Sequence, residues 1–258
     1  MNIMMIGDIV GRPGRNIVRQ ILPELRRDYA IDLVIANGEN IAGGIGVTRE
    51  TVAELYNSGV DVITTGNHVW DKKDVFNFID QDQYIVRPAN YPPETPGKGY
   101  TIITIDNVNV AVVSLAGRVF MEPLDCPFRT AKDKLDSIHN KADVFIVDFH
   151  AEATSEKQAL AWFLDGRVSA VCGTHTHVQT NDARILPGGT AFISDVGMTG
   201  PYNSVLGVDK DLVIKKFTGQ LPVRFEVANG PCQFNAVIVE VDICLGRAKE
   251  IETVNFVR

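Results

Sequence analysis

NIMMIGDIVGRPGR (residues 2–15) opens the chain with a short apolar run, a Gly-Asp pair and a glycine-punctuated turn. Ile17, Ile21, Leu22 and Leu25 follow at helical spacing, which predicts a helix over Arg15–Arg27. A strand, a tight turn and an amphipathic helix in that order form the first unit of a βαβ chain. The glycines suggest a phosphate cradle, but their spacing fits neither GxGxxG nor GxxxxGKS/T. Gly11 and Gly14 are read instead as turn formers, with Pro13 stiffening the entry to the helix. The chemical content of the stretch is then Asp8.

The same grammar repeats downstream. Apolar, β-branched runs at DLVIA (32–36), DVITT (61–65), VAVVSLAG (110–117), DVFIVDFH (143–150), SAVCG (169–173) and TAFIS (190–194) read as buried strands. Helices are expected after Thr48 as N-cap and over Lys72–Ile79, Thr130–Asn140 and Ser155–Leu164. The last third changes character. PVRFEVA (222–228), CQFNAVIVEVDI (232–243) and AKEIETVNFV (248–257) alternate, with turns at Ala228–Pro231 and Leu245-Gly246. That predicts an antiparallel meander or hairpin. The expected fold is mixed α/β: a four-layer α-β-β-α sandwich of two mixed sheets flanked by helices, in one domain over residues 1–258. The proline-rich stretch Arg87–Lys98 is expected as a surface loop.

With 258 residues, 45% hydrophobic and 22% charged, the chain has a globular composition and length enough to bury a core without staples. Its net charge of −7 argues against direct binding of duplex nucleic acid, which needs a cationic face. A small anionic substrate stays open, because a metal ion reverses the local sign. Cys126, Cys172, Cys232 and Cys244 form no CxxC pair, as expected of reduced thiols. Gly7-Asp8 interrupts the opening apolar run, and no run approaches the roughly 20 residues that span a bilayer. The expectation is a cytoplasmic protein with no membrane partner. The edges of the C-terminal strands leave a homo-oligomer open.

The polar residues fall where strands end. Asp8 follows the first strand, Glu39-Asn40 the second, and Asn67-His68 the third; His150 ends a fourth, and His175 and His177 follow a fifth. In an open sheet the carboxyl ends of parallel strands line one edge, where ligands bind. Carboxylate, amide and imidazole groups at one rim suit two divalent cations such as Fe, Mn or Zn. His175 and His177, two apart, can face the same way on extended chain, and Glu39 has two oxygens with which to bridge. A lone Asp after a strand is ordinarily a cap, and a lone Asn-His pair is ordinarily structural. The joint pattern is what carries the metal reading. His139 reads as an exposed helix-end residue.

In this order, GD…GEN…GNH…H…GTHTH resembles the calcineurin-like metallophosphoesterases, whose motifs run DxH, GD, GNH, a lone His and GHxH. Two departures stand out: Val10 occupies the place of the DxH histidine, and Glu39 that of the usual bridging Asp. GDIVGRPGR, NGENIAGG, TTGNHVWD and GTHTHVQT look like a bacterial subfamily similar to 2′,3′-cyclic-nucleotide 2′-phosphodiesterases. The resemblance implies a first metal held by Asp8 and His177, with Asn40 in the place of the missing histidine. It implies Glu39 as the bridge, Asn67, His150 and His175 on the second metal, and His68 as proton donor. It further implies hydrolysis of 2′,3′-cyclic nucleotides of the cyclic-AMP type to 3′-nucleotides, by attack of a hydroxide bridging two cations about 3.5–4 Å apart.

Substrate contacts are less local. GRVFMEPLDCPFR (117–129) reads either as a small lid, with Arg118 near phosphate and Phe120 against the base, or as an ordinary packed loop. Trp70 reads as core, and DVGMTGP (195–201) as a Gly-rich turn near the rim. Two other functions fit the same motifs: a phosphomonoesterase or nucleotidase of the same fold, and a metal-dependent nucleotide-sensing regulatory protein.

Overall fold

Met4 and Ile6 face one side of the first strand and Ile3 and Met5 the other, and both sides are buried. A strand covered on both faces is what a parallel sheet between layers requires. The computed structural model describes residues 1–258. β1 (Asn2–Ile6) and β2 (Asp8–Ile9) precede α1 (Gly11–Asp28), β3 (Leu33–Asn37), α2 (Arg49–Asn57), β4 (Val62–Thr64) and β5 (Ile85–Val86). Next come β6 (Tyr100–Ile105), β7 (Val108–Ala116), α3 (Pro127–Ile138), β8 (Val144–His150), α4 (Thr154–Leu164) and β9 (Ala170–Thr174). β10 (Arg184–Ile185), β11 (Ala191–Ile193), β12 (Met198–Pro201), α5 (Lys210–Gly219), β13 (Cys232–Asp242) and β14 (Arg247–Val257) complete the chain.

The strands form two mixed sheets. The first runs β2-β12-β13-β1-β3-β4-β5, with β14 also paired to β13; the second runs β10-β11-β9-β8-β7-β6. β1, β3 and β4 are parallel, as are β7, β8 and β9. Ile3, Met5, Leu33 and Ile35 meet Val112, Ile146 and Cys172 in a core between the sheets. Met4, Ile6 and Val34 pack outward on Ile17, Val18 and Leu55 of α1 and α2. Val113, Val147 and Phe149 pack on Leu135 and Leu160 of α3 and α4. The result is the four-layer sandwich expected from the sequence.

Several local readings change. α1 begins at Gly11, whose φ of 59° lets the chain reverse before the helix starts, so the turn is shorter than expected. Thr48 caps α2 through a reciprocal bond with Thr51, as expected. The segment expected as a helix over Lys72–Ile79 is a short 3-10 turn, Lys73–Asn77. PVRFEVA forms no strand, and only Val227 makes an isolated bridge, to Val208. Both edges of β13 are already taken, by β1 and β12 on one side and β14 on the other, so this alternating segment has no ladder to join. DVGMTGP is partly the strand β12, paired with β2. α5 and β6 are elements that the sequence pattern does not predict. No helix is long and apolar enough to cross a membrane.

Candidate metal centre

A polar residue just past an apolar parallel strand has to leave the sheet at its carboxyl edge, and here five such exits meet. Asp8, Glu39 and Asn40 come from the first sheet, beside Asn67 and His68 beyond β4. His150 ends β8, and His175 and His177 lie just beyond β9. Asp8, Glu39, Asn40 and His150 are all buried.

Around His150 Nε2 three groups converge: His175 Nδ1 at 2.9 Å, Asn67 Oδ1 at 3.1 Å and Glu39 Oε1 at 3.1 Å. Two atoms that share one cation at about 2.1 Å each lie at most about 4.2 Å apart, so these spacings fit a single coordination shell. Asp8 Oδ1 stands 3.9 Å from His177 Nε2 and 3.8 Å from His150 Nδ1, beginning a second cluster. Gly66 makes the convergence possible. A Cβ there would lie 2.2 Å from His150 Cδ2 and 2.3 Å from Glu39 Oε2.

Three buried oxygens have no hydrogen-bond partner: Asp8 Oδ1, Glu39 Oε1 and Asn40 Oδ1. Glu39 Oε1 is near His150 Nε2 without hydrogen-bond alignment. An orphaned buried acceptor costs about 1–3 kcal/mol, more when charged, and three at one rim call for a common ligand. All are hard oxygen donors beside imidazoles, the donor set of a divalent cation. Asn40 Nδ2 donates to the Gly44 carbonyl, which leaves its Oδ1 as the free atom.

The imidazoles are turned by their outer partners, which fix which nitrogen is free. The Leu206 carbonyl accepts from His177 Nδ1 at 3.0 Å, freeing Nε2. Glu152 takes His175 Nε2 at 3.2 Å, freeing Nδ1. Thr174 donates its hydroxyl to Asp148 at 2.7 Å, so its oxygen accepts from His150 Nδ1 at 2.9 Å. Asn37 and the Thr64 hydroxyl donate to the other Asp148 oxygen. Asp148, Asn37, Thr174 and Glu152 escaped the sequence reading. Asp148 alone left a signal there, as a charge inside the apolar run DVFIVDFH.

Electrostatics tie the cluster to protons. Burial alone would lower the His150 pKa, but the adjacent Glu39 carboxylate and Asp8 raise it to about 9. Glu39 is held well below the usual carboxylate range, because the His150 charge outweighs the burial that opposes it. Burial and the nearby His150 charge lower His175 to about 4. Burial raises Asp8 to about 6 against the pull of His177 and His150. A cation at His150 Nε2 must therefore displace a proton at neutral pH. Titrating chelator-stripped protein with Mn²⁺ will show an apparent affinity that rises about tenfold per pH unit from pH 6 to about 9. A pH-independent affinity over that range would remove His150 from the ligand set.

His68 stands apart from these groups and is half-buried. Its backbone N–H reaches Glu39 Oε2 at 3.2 Å, and its Nδ1 donates to Asp71 at 2.7 Å. Trp70 packs against the outer core and stacks on Phe76, as the core reading expected. Next to the cluster, Asn67, His175, Phe120, Met121 and Glu122 line a hollow of about 360 Å³. Phe120 is 89% exposed, with φ at 61°, at its mouth. Arg118 lies on the same loop, exposed and outside the lining, and its backbone N–H donates to Glu156. His139 caps α3 and is exposed, as expected.

Residues 4–254 match the sequence profile of the YmdB-like protein family. The chain belongs to the YmdB-like family. It is 50% identical over 254 residues to the 2′,3′-cyclic-nucleotide 2′-phosphodiesterase of Bacillus subtilis, an alignment covering 98% of this chain and 96% of that one. A solved protein of Thermus thermophilus is 44% identical and superposes with a TM-score of 0.94, over 100% of this chain and 99% of that one. A 5′-nucleotidase precursor from the same organism is 13% identical and shares the fold, with a TM-score of 0.61 over 99% of this chain and 54% of that one. The chain thus shares the fold of that 5′-nucleotidase precursor.

Proposed function

We propose that this chain is a divalent-metal-dependent phosphodiesterase that opens 2′,3′-cyclic nucleotides to 3′-nucleotides. One observation carries the reading: Glu39 Oε1, Asn67 Oδ1 and His175 Nδ1 converge on His150 Nε2, beside orphaned oxygens of Asp8, Glu39 and Asn40. We assign Asp8, Asn40 and His177 to one cation and Asn67, His150 and His175 to a second, with Glu39 between them. Fe, Mn and Zn all suit these donors. When bound, such cations neutralise charge on a phosphate and bring the pKa of water towards about 7.

The chain's own residues supply the rest. Water adds to phosphorus and gives up a proton to solvent, the P–O2′ bond breaks, and the departing O2′ takes a proton from His68 Nε2, which solvent then restores. Asp71 accepts at Nδ1 and so fixes the ring, which leaves Nε2 to carry the proton that moves. The side of cleavage follows the Bacillus subtilis relative. Phe120 offers a face for the base at the mouth of the hollow, and Arg118 offers positive charge on the same loop.

Wild-type protein loaded with Mn²⁺ should hydrolyse 2′,3′-cyclic AMP in preference to 3′,5′-cyclic AMP and to AMP. Turnover of monoesters alone would replace this reading with a phosphatase. Base–aromatic stacking is worth about 1–3 kcal/mol. Phe120→Ala will accordingly raise KM for the cyclic nucleotide about 5- to 150-fold, with little change on a phosphodiester that lacks a base. An unchanged KM would remove Phe120 from the substrate site.

A further inference from the structure

The first turn of α4 carries a buried lysine that no part of the proposed reaction uses. Lys157 is 2% exposed, and its Nζ donates to Asp195 Oδ2 at 2.7 Å. Asp195 is equally buried and lies beyond β11 in the loop leading to β12. The same Oδ2 accepts the Thr176 backbone N–H at 3.0 Å and the Thr176 hydroxyl at 2.8 Å. Its Oδ1 accepts the Gly197 N–H at 2.8 Å, and the Gly197 carbonyl accepts the Asp8 N–H at 3.0 Å.

Thr176 lies between His175 and His177, whose φ values of 100° and 65° are both in the left-handed region. A residue with a Cβ persists there only when its surroundings over-determine it. One carboxylate, neutralised by one lysine, therefore grips the loop between the two histidines and, through Gly197, the backbone of Asp8. Well-packed apolar residues would often stabilise a fold as well as a buried ion pair does, so stability alone explains this pair poorly. What the charged pair supplies is an anionic acceptor for donors on two sides. An amide at 195 has one acceptor oxygen and turns N–H groups towards the remaining donors.

We propose that Lys157 and Asp195 are positioning residues of the metal centre, acting through Thr176 and Gly197 to set His175, His177 and Asp8. The inference rests on the metal-site reading above, and the experiment separates the two. Mn²⁺ affinity of stripped protein is measured by electron paramagnetic resonance, alongside the melting temperature without metal. Outer partners of metal ligands are worth about 10- to 100-fold in affinity. Asp195→Asn will lower both affinity and melting temperature. The double variant Lys157→Met/Asp195→Asn, with no unpaired buried charge, will regain melting temperature yet still bind Mn²⁺ at least about tenfold more weakly than wild type. Thr176→Val will weaken binding severalfold with little change in melting temperature, and Thr176→Ser will restore it. If the double variant folds and binds Mn²⁺ as wild type does, the proposal fails. Should the double variant not fold, the Thr176 pair decides: equal affinity in Thr176→Val and wild type overturns it. Wild-type protein that binds no Mn²⁺ would instead sink the metal-site reading itself.

Discussion

His68→Ala will lower turnover of 2′,3′-cyclic AMP by about 10²- to 10⁴-fold, roughly 2.7–5.5 kcal/mol of barrier, while metal content stays at the wild-type level. The two halves of that outcome come from separate contacts. The His68 ring meets Asp71 rather than the cluster around His150, so its loss leaves those donors in place. The contact with Glu39 is through the His68 backbone N–H, which alanine keeps. A ribose alkoxide leaves poorly without a proton, whereas a nitrophenolate needs none. The defect should therefore shrink sharply on a nitrophenyl phosphodiester. Asp71→Asn should reproduce part of the loss on the cyclic nucleotide. Equal activity of His68→Ala and wild type on the cyclic nucleotide would end the proton-donor assignment.

Glu39→Ala will lose metal as well as activity, with Mn²⁺ affinity reduced by more than the roughly 100-fold upper range seen for outer partners. Glu39 Oε1 is an orphaned acceptor 3.1 Å from His150 Nε2, while Oε2 holds the His68 backbone. The fold should survive the change. With the carboxylate gone, the strongest influence raising the His150 pKa is lost, burial weighs more heavily against its charge, and Asp8 and Asp148 remain beside any charge it keeps. Gly66→Ala tests the same point from the backbone. Its added Cβ would meet the His150 ring and the Glu39 carboxylate within 2.4 Å, so at least one of them must move. Elemental analysis of both variants checks the prediction. Wild-type metal content in Glu39→Ala would overturn it.

The site was more legible than the chain around it, for a physical reason. A polar group at the end of a doubly buried strand has one direction in which to leave, so Asp8, Glu39, Asn67 and His150 could be placed on one rim from local pattern alone. Lys157 and Asp195 could not, because their pairing spans 38 residues and each sits in an ordinary-looking helix or turn. The same limit explains PVRFEVA. Alternation describes how a segment would behave in a ladder, but whether an edge is open depends on how the rest of the sheet is ordered. β6 pairs along its length with β7, yet YTIITI sits directly behind the proline-rich loop, whose turn signals mask its own pattern.

The two sheets bury one apolar interface, yet that interface has two unlike ends. In its interior, side chains such as Met5, Ile35 and Ile146 touch across a gap with no polar group to align. At the rim, Asp8, Glu39 and Asn67 from one sheet face His150, His175 and His177 from the other. A cation held among them, as proposed, would be a rivet through both halves of the sandwich, directional where the interior contact is not. Folding and cation uptake would then be a single linked equilibrium, in which an ion held at the rim would also clamp the two halves together.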